Sequence, residues 1–134
     1  MKDKEFIDRF ETITLPKESF HHKDHVRLAW LYLRRYPVLE AISRFCEGLK
    51  RFATAHGKSN RYHETITWSF ILLVNERMVR AGRDQKWEEF VSSNGDLLDW
   101  ENNILKNYYS EETLGSDIAR RVFVFPDKNQ ALRS

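Results

Sequence analysis

An all-α fold is the class this sequence predicts, a single-domain helical bundle of about five to seven helices over residues 1–134, and three observations predict it. Apolar residues recur at helical spacing along most of the chain. Two of those segments, led by His25 and Trp68, are apolar around nearly their whole circumference, which places them inside as two central buried helices. The length of 134 residues, with 41% hydrophobic and 31% charged residues, suits one packed core and excludes disorder, collagen-like sequence and coiled coil.

Phe6, Ile7, Phe10 and Ile13 form a narrow apolar stripe, so a short opening helix ends before Pro16. A second helix runs from about His22 to Arg35 and stops at Tyr36-Pro37, because a residue before proline avoids the helical region. Its Val26, Leu28, Ala29, Trp30, Leu31, Tyr32 and Leu33 belong in the interior, while Arg27, Arg34 and Arg35 are solvated or snorkel. Pro37 opens a third helix with the stripe Leu39, Ile42, Phe45, Cys46, Leu49, Phe52 and Ala53, and Gly57 stops it. Asn60 is the expected N-cap of a fourth helix from about Arg61 to Ala81, closed by Gly82, in which Trp68, Phe70 to Val74 and Met78 point almost every way.

Beyond Gly82 the pattern weakens. Trp87, Phe90 and Val91 suggest a short helix ended at Asn94-Gly95, and Leu97 to Tyr108 another. Ser116 to Arg121 reads as a capped helical turn leading into Val122-Phe123-Val124-Phe125, an extended piece lying over the bundle.

Histidines mark the mouths of the two central helices. His22 and His25, three residues apart, share one face of the second helix. His63 and Glu64 open the fourth, and neighbours on a helix diverge by about 100°, so only one of them faces a given centre. If the two openings meet, His22, His25 and His63 would ligate a divalent metal (zinc, iron, manganese or nickel), with Glu64 as a further ligand or general base. Without metal, Glu64 beside His63 would serve as a proton-transfer pair bordered by Arg61 and Tyr62. The competing reading makes all four residues helix-end groups, capping or solvated, with Glu64 favourable to the helix dipole. His56, beside Gly57 at a helix C-terminus, fits that reading best.

The pattern of Phe20, His22, His25, Ala29 and Trp30, then Tyr62-His63-Glu64-Thr65-Ile66-Thr67, then Ala119-Arg120 and Phe123 to Asp127, resembles a family of small uncharacterised bacterial all-α proteins. That resemblance implies no catalytic residues. The helical histidine placement is also similar to DinB-like metal-binding bundles, although the fourth helix here lacks their His-x-x-x-His pair.

The expected function is therefore a metal-binding protein or small metal-dependent enzyme, with a small-molecule substrate. The alternative is a non-catalytic helical domain that binds a small molecule or a protein. With 22 basic against 20 acidic residues the field is weak and mixed, so a nucleic-acid partner is not expected. Arg120 or Arg121 would either reach an anionic substrate from the tail or remain surface charges paired to Glu111, Glu112 or Asp117. The single cysteine, Cys46, forbids an intrachain disulfide, and apolar runs such as Phe70 to Val74 are too short to span a bilayer. With no apolar signal at Met1 to Glu5, a cytoplasmic setting is expected.

Overall fold

Proline and glycine fix most of the element bounds that apolar spacing leaves open. The computed structural model describes residues 1–128, and among these its regular structure is entirely helical. Five helices have seven residues or more: α1 (Asp3–Glu11), α2 (His22–Arg35), α3 (Val38–Ala55), α4 (Glu64–Ala81) and α5 (Trp87–Ser93). Three are short: α6 (Gly95–Leu98), α7 (Glu111–Leu114) and α8 (Asp117–Arg121). Single 3₁₀ turns occupy Lys17–Ser19, Ser59–Arg61 and Ile104–Asn107. None of these helices is long and apolar enough to cross a membrane.

α2 is the axis of the core and packs mainly against α3 and α4. It is buried from Leu28 to Leu33 without a break, the outcome its all-round apolar sequence requires. Its charged exceptions lie along apolar rings. Arg27 bonds the Asp3 carboxylate at 2.7 Å over the face of Phe6, and Arg34 lies over Trp30. Tyr36 is extended and Pro37 caps α3, so the two long helices fold back on each other through a two-residue joint.

Four apolar positions depart from expectation. Ile13 lies beyond α1 in the left-handed region, φ 58°, because the chain reverses there over the carbonyls of Arg9 and Phe10. Leu39, at the first turn of α3, and Leu72, on the outer side of α4, are exposed because neither helix is covered there. Trp100 is half exposed and belongs to the rim of a cleft, not to the core. Over its first turns α4 buries Thr65, Thr67 and Ser69 as well as Phe70 and Ile71, so its inner face is more polar than its apolar residues suggest.

Gly48 lets α1 approach α3. A Cβ at this position would stand 2.6 Å from Phe10 Cε2, and Phe10 cannot retreat because its ring is stacked between Phe20 and Phe52. Alanine would gain up to about 1 kcal/mol of helix propensity but overpack the core by about 1–3 kcal/mol. Gly48→Ala is therefore expected to destabilise by about 1 kcal/mol net, read as a lower denaturant midpoint with an unchanged slope.

The tail is tied down by hydrogen bonds. Thr65 Oγ1, fully buried at the start of α4, donates toward the carbonyls of Ala119 (2.7 Å) and Val122 (2.9 Å) and accepts from the Val124 N–H (3.1 Å). Tyr109 donates to the Val124 carbonyl at 2.7 Å, and the Asp127 carboxylate accepts from the Ser110 N–H and from the hydroxyls of Ser110 and Thr113. Residues 122–128 thus run without helix along the bundle, as their apolar tetrad predicts, and α8 is held against α4.

Candidate functional site: a histidine-lined cleft

The start of α2, the end of α3 and the start of α4 surround a cleft of about 820 Å³. Its floor is apolar, built from Val26 of α2, Phe45, Leu49 and Phe52 of α3, and Ile66 and Phe70 of α4. Four of the five histidines line it: His22, His25, His56 and His63. The cations Lys17, Lys58, Arg61 and Arg120, one carboxylate, Glu18, and Trp100 complete its margin. Arg61 and Tyr62 border it as the sequence suggests; Glu64 does not.

Each histidine is held differently. His63 is the N-cap of α4: its Nδ1 accepts the Ile66 N–H at 3.1 Å, which fixes the proton on Nε2, and Nε2–H donates to the Leu114 carbonyl at 2.7 Å. Its own carbonyl accepts both the N–H and the hydroxyl of Thr67. The expected cap, Asn60, lies instead in the 3₁₀ turn, so the helix starts three residues later than its sequence suggests. His22 donates from Nε2 to the Leu97 carbonyl at 2.8 Å and packs against Phe70 and Trp100.

His25 and His56 are less satisfied. Among the described residues the His25 ring makes no hydrogen bond and lies 4.4 Å from the Phe20 ring. His56, the C-cap of α3, packs on Phe52, and its Nε2 is buried with no hydrogen-bond partner among the described residues. Burial is the main cause of a depressed pKa at three of these rings. It lowers His22 and His63 below the ordinary imidazole value, against the raising effect of their carbonyl partners. It takes His25 down to about 4, helped by the neighbouring His22 and His21. At pH 7 these three imidazoles are neutral.

The carboxylates near these helix starts are otherwise engaged. Asp24 accepts the His21 backbone N–H at 2.9 Å, so it caps α2. Glu64 accepts the Tyr62 hydroxyl at 2.6 Å, and burial together with that bond raises the Tyr62 phenol well above its ordinary value.

The openings of α2 and α4 thus meet, bringing His22, His25 and His63 to one cavity. Yet no group of three or more His, Cys, Asp or Glu side chains among the described residues is placed to hold a metal ion. Nor is any of the four imidazoles hydrogen-bonded to a hydroxyl, thiol or carboxylate side chain there, so no nucleophile–histidine–acid relay is formed. His56 is the residue that sequence reasoning passed over. It was legible only as a dipole-favoured C-terminal group, and the fold-back of α3 onto α4 is what turns it inward.

Comparison with known proteins adds no family to this picture. No protein-family model matches the chain, and no curated protein or solved structure is significantly similar to it.

Proposed function

We propose that this protein is a helical domain that binds a small molecule in the cleft between α2, α3 and α4, and that it does so in the cytoplasm. One observation carries the reading: a cavity of about 820 Å³ with an apolar aromatic floor retains imidazole groups, the His25 ring and the buried Nε2 of His56, that make no hydrogen bond among the described residues. Small-molecule sites have this form and size, a mostly apolar concavity with a few polar atoms that fix orientation. The buried, free thiol of Cys46 is in keeping with a reducing compartment.

A divalent metal on His22, His25 and His63 is the second reading, in which Glu64, bonded to Tyr62 and outside the cleft lining, would have to turn inward to complete the site. It is favoured by the convergence of the three rings on one cavity. It is opposed by the engagement of both His63 nitrogens, since coordination there would cost α4 its cap, about 1 kcal/mol.

The test uses Ile66→Trp, which fills the cleft from its floor. Titration with the neutral probe 2-(1-naphthyl)ethanol is expected to show saturable binding by the native protein and at least about tenfold weaker binding by the variant, a change of about 1.4 kcal/mol. Equal binding by both would remove the cleft as the site. Tag-free protein that carries a stoichiometric metal, lost in His22→Ala or His63→Ala, would replace this reading by the metal one.

A further inference from the structure

We propose that the ligand of this cleft is an amphipathic anion, a carboxylate-, sulfonate- or phosphate-headed small molecule whose apolar body lies on the floor while its head meets the cationic margin. This inference rests on the small-molecule reading above and adds the charge of what is bound.

The chain as a whole is nearly balanced, with a formal net charge of +2, but the margin of the cleft is not. Lys17, Lys58, Arg61 and Arg120 face a single carboxylate, Glu18, and none of the four forms a salt bridge among the described residues. Elsewhere some arginines are paired, Arg77 with Asp96 and Arg121, next to Arg120, with Asp117, while Arg9, Arg34, Arg35, Arg51 and Arg83 form no salt bridge among the described residues. What sets the margin apart is the gathering of four cations around one opening. Arg120 is held by the Asn60 carbonyl, beside Arg61, which leaves most of its guanidinium donors unspent. Four cations gathered at one opening repel one another, and an anion placed among them relieves that repulsion.

The deeper cleft has the opposite character. His22, His25 and His63 are neutral at pH 7, and the floor is hydrocarbon and aromatic. A charged head entering it would lose its hydration without a counter-ion, so the charge remains at the margin and the apolar part goes inward. The cavity has room for roughly two dozen waters at about 30 Å³ each, which suits a body of aromatic or branched aliphatic groups.

A matched series separates charge from shape: 1-naphthylacetate, 2-(1-naphthyl)ethanol and 2-(1-naphthyl)ethylammonium, each titrated calorimetrically into the full chain. The anion is expected to bind about tenfold more tightly than the alcohol and the cation more weakly than either, with the anion's advantage shrinking as salt is raised. Lys58→Gln combined with Arg61→Gln, both side chains free of hydrogen bonds among the described residues, should bring anion and alcohol within about twofold of each other. Removing two positive charges elsewhere, in Arg35→Gln with Lys86→Gln, should leave the preference intact. Equal affinity for anion and alcohol, or a preference that survives loss of Lys58 and Arg61, would overturn the inference while the cleft remains a binding site. Failure of the alcohol to bind, or binding indifferent to Ile66→Trp, would remove the underlying small-molecule reading and this inference with it.

Discussion

Acidification from pH 7 to pH 4 is expected to destabilise the protein by about 3 kcal/mol through His25 alone, lowering the melting temperature by roughly 10 °C. The folded chain holds this imidazole near pKa 4, while the unfolded chain offers the ordinary 6.5. Between those values the unfolded state binds more protons, so stability rises with pH. The contribution is complete above pH 6.5 and is lost progressively as pH falls to about 4. His22 and His63, also depressed, act in the same direction. The carboxylates held low by their partners, Asp96 by Arg77 and Asp127 by Ser110, lose their contributions only below the ordinary carboxylate range, so the two sets separate along the pH axis. Melting curves of the native protein and His25→Phe between pH 7 and 4 check the assignment. The variant should show a visibly shallower decline, and an unchanged slope would mean that His25 protonates freely in the fold.

Thr65→Val is expected to cost about 2–4 kcal/mol, because it leaves two carbonyls and one N–H without the hydroxyl they share. Valine matches threonine in shape, so the loss would come from unpaired polar groups and not from a cavity. The effect should also be spatially selective. Amide exchange ought to accelerate in residues 118–124 and α8 well beyond any change in α2, since the hydroxyl is the main polar tie between α4 and the tail. Uniform acceleration across the chain would show instead that Thr65 supports the whole bundle. Thr65→Ser, which keeps the hydroxyl, should recover most of the stability.

How far the sequence carried these conclusions depended on the kind of force involved. Proline geometry and all-round apolarity are local, and they delivered α2 with its bounds, the joint at Tyr36-Pro37 and the end of α4 at Gly82. The start of α4 was missed because the ordinary N-cap residues suggested Asn60, whereas an imidazole nitrogen of His63 does the capping. Glu64 was legible as a group at a helix mouth but not as the partner of Tyr62, since a contact two residues away depends on the extended backbone that precedes the helix. The meeting of the two histidine-bearing openings stayed a condition at the level of sequence, because burying two helices together does not set which of their ends lie side by side. Nor was it legible which ring nitrogens remain unbonded, because that depends on the carbonyls of Leu97 and Leu114, which sequence does not place.

The resting of Arg120 on the Asn60 carbonyl has a consequence for synthesis. The pocket floor comes from segments that leave the ribosome early, and they can collapse together while the rest of the polypeptide is still being translated. The mouth receives its fourth charge only when Arg120 emerges, sixty positions behind the carbonyl that holds it. A nascent chain arrested short of that point would carry only three of the four cations at the mouth, and so exert a weaker pull on an anion.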